Sequence, residues 1–237
     1  MNTGLPLDPL ALLRPLFQGV GGLEQSDQVR RGMQLHATLP RPPVGTTAHV
    51  VIHTQNKLQL RYYAPAGDRP WRTPVVVVPS MINRATICDL ESDRSLVGGL
   101  AAHGHPVFLV DWGIPGAEDA GISVQSIVLE LLHRAIDRAC RHVGAKQAFL
   151  LGYCQGGTLA TLYTALRPKR VKGLAVFNAP VRFCEGGRFR DFANAGHIDL
   201  DSLIDPTRLV PVSVMQVAFK FLDPMGNWHK YAALERD

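Results

Sequence analysis

The sequence predicts an α/β fold built on a doubly wound, mostly parallel sheet. Three observations carry the prediction. Short uninterrupted apolar runs stand at 75–78 (VVVV), 107–110 (VFLV), 148–151 (AFLL) and 174–177 (LAVF), the pattern of strands buried on both faces. Helical stretches lie between these runs, as right-handed crossovers between parallel strands require. Two alternating segments precede them all.

Taken in order, residues 1–47 are rich in Pro and Gly around one helix at about 24–38 and read as an N-terminal arm. Residues 48–182 form the core. It opens on HVVIHTQ and KLQLRYYA, split by Asn56-Lys57, which alternate as an antiparallel hairpin does. The helical stretches are DRSLVGGLAAHG, ISVQSIVLELLHRAIDRACRHVG and GGTLATLYTALRP. The second keeps Ile127, Leu131 and Ile136 on one face and Glu130, Arg134 and Arg138 elsewhere. Residues 183–237 read as a cap or lid segment. An antiparallel pair followed by parallel strands resembles the α/β-hydrolase order.

Composition narrows the function. With 46% hydrophobic and 19% charged positions in 237 residues, the chain can bury a real core. The net charge of +5 comes from scattered Lys and Arg, without the basic stripe that nucleic-acid binding needs. Cys88, Cys140, Cys154 and Cys184 form no CxxC pair, so neither zinc nor a disulfide framework is expected, and a reducing, intracellular setting fits. The first apolar stretch is broken by Asp8, Pro9, Arg14 and Pro15 and does not read as a secretory signal. The stretch at 209–222 is too short for a transmembrane segment and contains Pro211 and Lys220.

The segment LLGYCQGGTLATLY, residues 150–163, carries the chemistry. Gly152 and Gly156 stand two residues either side of Cys154, where a nucleophile elbow needs small residues to turn sharply from strand into helix. The helix N-terminus behind Cys154 favours a thiolate and an anionic intermediate. The Gln155 backbone N–H is then one oxyanion donor, and a second is expected after the VVVV strand, at Met81 or Ile82. Against this stands the inert buried thiol, the commoner fate of a lone cysteine.

GYCQGG resembles the cysteine-bearing box of polyhydroxyalkanoate synthases. VVVVPSMINR, CDLESDRSLVGGLAAHGHPVFLVDWGIP and HVVIHTQNKLQLRYYAP are similar, in one order, to further motifs of that family, in particular the short catalytic subunit of its two-subunit (class III-like) type. The resemblance implies an acyltransferase of α/β-hydrolase fold that polymerises (R)-3-hydroxyacyl groups from coenzyme A thioesters. Cys154 would carry the growing polyester, with coenzyme A released and no cofactor beyond the thioester substrate. It further implies short-chain substrates, a homodimer, a second helical synthase subunit, and a place in the cytoplasm at the polyester granule surface. The family's base is a histidine near the C-terminus, with an aspartate before it. Here no strand-like run follows VFNAPV, so the hydrolase core reads as lacking its last strands, with the base and acid not located. A chain incomplete at its C-terminus, a non-catalytic granule- or partner-binding remnant, and a cysteine esterase or depolymerase remain the alternatives.

The other candidates read as structural. AGHID at 195–199 precedes the cap's apolar stretch and does not follow a final strand, so His197 is rejected as the base. His36, His49, His53, His103, His105, His133 and His142 lie on the arm, hairpin, turns or helix, and His229 in the cap is the least implausible substitute. Asp111 and Trp112 either line the pocket or cap a turn. Cys88, Cys140 and Cys184 read as packing residues, and Val214, Val217, Ala218 and Phe221 as core or cap.

Overall fold

The alternating pair folds as expected: in a computed structural model, β1 (Val50–Gln55) and β2 (Leu58–Tyr63) pair antiparallel. Asn56 turns between them at φ 53°, a left-handed conformation that Asn tolerates better than most residues. The structure describes residues 23–40, 42–68, 70–183, 209–212, 214–216, 219 and 224–234. His197, Cys184, Val217, Ala218 and Phe221 lie outside them, as does most of the expected cap.

The four apolar runs become β3 (Val75–Val78), β4 (Val107–Asp111), β5 (Ala148–Tyr153) and β6 (Val171–Phe177). The six strands lie in the order β1-β2-β4-β3-β5-β6. β2 runs antiparallel to β4, whereas β4, β3, β5 and β6 are mutually parallel. The runs lack alternation because both faces are covered. Val76, Val78, Phe108, Val110 and Leu150 face one buried cluster with Leu132, Ile136, Ala139 and Tyr163. Val75, Val77, Val107, Leu109 and Leu151 face another with Ala85, Cys88, Val97 and Ala101.

The crossovers supply those coverings. α1 (Leu23–Thr38) belongs to the arm. α2 (Leu96–Ala102) starts where the Ser95 hydroxyl accepts the Gly98 N–H at 2.9 Å, an N-cap that satisfies one orphan donor. The long amphipathic stretch divides into α3 (Val124–Ser126), a π-helical segment Ile127–Leu132 and α4 (His133–His142). α5 (Gln155–Leu166) follows β5.

The chain forms two compact units, one drawn from residues 1–41 and 211–237, the other from 42–210. In the first, α1 crosses α6 (Pro224–Leu234) at Gly32. A Cβ there would lie 1.8 Å from the Tyr231 carbonyl oxygen, so only glycine permits that approach. Val29 and Ala232 are buried, and His36 meets the Tyr231 ring edge-on at 5.9 Å. The second unit carries the whole sheet. No helix of the described residues is long and apolar enough to cross a membrane.

Candidate active site

Strand order reverses at β3, with β4 on one side and β5 on the other. In open α/β sheets the crevice at the carboxyl ends of strands flanking such a reversal is where ligands bind. Both sequence-predicted groups stand there: Met81 and Ile82 just past β3, Cys154 between β5 and α5.

Cys154 has φ 54° and ψ −132°, a conformation that L residues other than glycine seldom adopt. Its backbone is fixed from both sides. The Cys154 N–H donates to the Phe177 carbonyl at 2.9 Å, and the Cys154 carbonyl accepts the Gly157 N–H at 2.8 Å. The side chain is half-buried, whereas Cys88 and Cys140 are buried. Burial pushes the Cys88 thiol up to about 11, with the nearby Asp89 charge adding to it, and raises Cys140 as well. Those two behave as packing residues, as the sequence suggested.

The tight turn depends on three glycines. A Cβ on Gly156 would lie 2.0 Å from the Val78 carbonyl oxygen and 2.5 Å from that of Pro79. One on Gly152 would lie 2.4 Å from the Gly157 Cα, and one on Gly157 2.5 Å from the Ala179 Cβ. The first turn of α5 therefore rests on the ends of β3 and β5 with no room for a side chain. Gly157 was not singled out from sequence, although the Gly156-Gly157 doublet was its signal.

The segment after β3 is turned by its own side chains. The buried Ser80 hydroxyl accepts the Ile82 N–H at 3.1 Å. The Met81 N–H instead donates to Gln155 Oε1 at 3.1 Å, and the Ser80 hydroxyl lies 3.5 Å from the same oxygen. Of the two amides expected as donors, Met81 is thus the one that faces the residue after Cys154. The Gln155 N–H opens α5, where first-turn amides have no helical acceptor.

One further bond holds this segment, and a buried carboxylate ties together the chain around it. Trp112 Nε1 donates to the Pro79 carbonyl at 2.9 Å. The fully buried Asp89 accepts hydrogen bonds from Thr47, from Ser95 at 2.7 Å and from Tyr63 at 3.4 Å, while its carbonyl accepts the Gly45 N–H at 2.6 Å. Asp89 lies in a motif quoted above but was given no role there. Burial, reinforced by the Asp89 charge, raises the Tyr63 phenol above its ordinary value. Asp111 pairs with Arg61 and accepts the Gly113 N–H at 3.0 Å. Of the two roles open to it, the structural one is the one its contacts fill.

Five of the described histidines make contacts away from Cys154. His49 contacts the Thr47 carbonyl, His103 the Gly99 carbonyl, and His133 the Tyr163 hydroxyl at 2.9 Å. His105 stacks on Trp71, and the His142 ring meets Tyr62 at a tilt, with centroids 4.4 Å apart. Among the described residues no hydrogen bond joins a histidine to Cys154, and no group of His, Cys, Asp or Glu is placed to hold a metal ion.

Comparison with known proteins gives concordant matches. Residues 73–202 match the family model of the alpha/beta hydrolase fold, and residues 37–99 that of the poly-beta-hydroxybutyrate polymerase (PhaC) N-terminus. The chain is 30% identical to a poly(3-hydroxyalkanoate) polymerase subunit PhaC from Thiocystis violacea, over 86% of this chain and 58% of the relative. It is 32% identical to the PhaC subunit of Haloferax mediterranei over 83% of this chain and 40% of that one. For the PhaC subunit of Synechocystis sp. the identity is 31%, over 79% and 51%. The chain thus spans about half the length of the curated relatives it matches.

Proposed function

Because the chain belongs to the alpha/beta hydrolase fold family, we propose that it uses the elbow of that fold for thiol-based acyl transfer, as a polyhydroxyalkanoate synthase-like acyltransferase acting on (R)-3-hydroxyacyl-coenzyme A. The observation that carries this reading is the conformation of Cys154: a half-buried thiol held at φ 54° on a turn three glycines make possible. Strain of this kind persists where surrounding structure over-determines it, and clusters at functional sites. The similarity to PhaC subunits supports the substrate class.

In the first step the Cys154 thiolate attacks the thioester carbonyl carbon, forming a C–S bond while the carbonyl π pair moves to oxygen. The Gln155 and Met81 amides receive that oxyanion. When the carbonyl re-forms, the bond to coenzyme A breaks and coenzyme A leaves as its thiolate, so that one thiolate is exchanged for another. Thiol and leaving group are of similar basicity, so neither direction of collapse is strongly disfavoured. In the second step the 3-hydroxyl of another unit attacks the acyl-Cys154 thioester, giving an ester and returning the thiolate. Its proton goes to a base, which by family resemblance is a histidine assisted by an aspartate. Short-chain acyl groups, a homodimer, a second subunit and a place at the granule surface belong to the same proposal.

The test is release of free coenzyme A from 3-hydroxybutyryl-coenzyme A, followed with a thiol reagent alongside intact-mass detection of acylated protein. Acylation that disappears in Cys154→Ala is expected; equal release by both proteins overturns the reading. Among the described residues β6 is an edge strand, with Val176 and Phe177 exposed, which favours a second reading as a partner- or polyester-binding chain, since an apolar edge invites pairing. Binding without any coenzyme A release would support that alternative.

A further inference from the structure

The oxyanion site described above is already occupied by the protein. Gln155 Oε1 accepts the Met81 N–H at 3.1 Å, with the Ser80 hydroxyl 3.5 Å away. A carboxamide oxygen is an sp² carbonyl acceptor, the same kind of group that a thioester presents. We propose that the Gln155 side chain is an internal surrogate for the substrate carbonyl: it masks the Met81 donor in the free protein and must be displaced before acyl transfer to Cys154. This rests on Cys154 being the acyl acceptor.

The neighbouring contacts make the mask specific. Gln155 is the first residue of α5 and follows a residue whose backbone is pinned to Phe177 and Gly157. Met81 follows the Pro79 carbonyl held by Trp112 and the buried Ser80 that engages Ile82. Both ends of the Gln155–Met81 bond therefore have fixed backbones, and only the Gln155 side-chain torsions are free to break it. Swinging the carboxamide away uncovers Met81 without moving the turn. Gln155 is accordingly a positioning residue that acts through the Met81 amide. It raises the barrier to carbonyl electrophiles while leaving reactions of the thiol that develop no oxyanion untouched.

The experiment compares two rates at Cys154 in the full 237-residue chain. One is acylation by an aryl 3-hydroxybutanethioate, which develops an oxyanion; the other is alkylation by iodoacetamide, which does not. Both are read by intact mass, with thermal melts confirming that each variant is folded. Gln155→Ala and Gln155→Asn, the latter too short to keep the bond, should raise the ratio of acylation to alkylation by about five-fold, the worth of one neutral hydrogen bond. Gln155→Glu should lower that ratio below the parent's, because a carboxylate holds the amide more strongly and repels the oxyanion. A lower ratio in Gln155→Ala or Gln155→Asn overturns the proposal by making the side chain a support of the site. An unchanged ratio overturns it by removing Met81 from the reaction. Alkylation without acylation in every protein overturns the acyl-transfer reading itself, and the proposal with it. If Gln155→Ala does not fold, the Asn and Glu variants decide.

Discussion

Replacing Cys154 by alanine and by glycine measures the strain in the turn directly. Cys154→Ala keeps a Cβ at φ 54° and ψ −132°, so the backbone cost remains; Cys154→Gly removes it. Loss of the thiol is common to both and cancels in the comparison. At an ordinary position glycine is the less stable of the two by about 0.5–1 kcal/mol, because it gains more freedom on unfolding. A non-glycine residue in a sparsely populated region costs about 1–3 kcal/mol. Setting about 2 kcal/mol of strain against about 1 kcal/mol of glycine entropy, the glycine variant should be the more stable by about 1 kcal/mol. That difference corresponds to about 2–4 °C in Tm for a chain of this size. Urea denaturation of the two reduced variants at one protein concentration supplies the number. The sign is the test: if alanine is as stable as glycine or more so, the turn stores no strain at Cys154, and the structural ground for calling it a nucleophile position is lost.

The remaining predictions use the same structure. Gly156→Ala drives a Cβ to 2.0 Å from a backbone oxygen of β3, so it should cost about 1–3 kcal/mol in urea melts and depress Cys154 acylation. Gly99→Ala, in α2 with nothing within 4 Å of the new Cβ, should instead stabilise by up to about 1 kcal/mol. Asp89→Ala leaves the donors of Thr47, Ser95 and Tyr63 without their common acceptor and should cost about 3 kcal/mol by the same measurement. Asp119 is held down to about 2 by hydrogen bonds from Lys57, the Gly116 amide and Asn56. Its folded value lies below the unfolded one of about 3.9, so its contribution is present above pH 4 and lost as pH falls toward 2. Asp119→Asn should flatten the decline in Tm over that window, and an unchanged slope would count against the pairing.

The fold was legible because burial on both sheet faces leaves a plain trace. Val75–Val78 is a run with no polar member, and both of its alternating sets meet covered apolar clusters. β6 was harder to bound, since it begins at Val171 with Lys172 and Gly173 before the apolar run, as an edge strand can. The π-helical segment Ile127–Leu132 left no mark, because widening a helical turn changes hydrogen-bond register without changing composition. The elbow was legible as residue types at fixed offsets. The contacts around it were not: Thr47 meets Asp89 across 42 positions, and Met81 meets Gln155 across 74. The second pair exists only once β3 and β5 lie side by side.

That adjacency also explains why a cysteine suits this turn in the proposed reaction. A serine at Cys154 would hold the acyl chain as an oxygen ester, the same functional group as the polyester product, so transfer to the next hydroxyl would exchange like for like. A thioester is the more activated of the two, and passing its acyl group to a hydroxyl releases the better leaving group. Gly152, Gly156 and Gly157 bring β5 and α5 against the end of β3, and the same close approach places the Met81 amide beside Gln155. In the proposed reaction, tight packing at the strand reversal would position the thiol, offer the Gln155 and Met81 amides to the oxyanion, and set the side-chain amide that covers the second of them. On that proposal acyl capture depends on a carbonyl able to displace the Gln155 carboxamide from the Met81 amide, while reactions of the thiol that develop no oxyanion are unaffected.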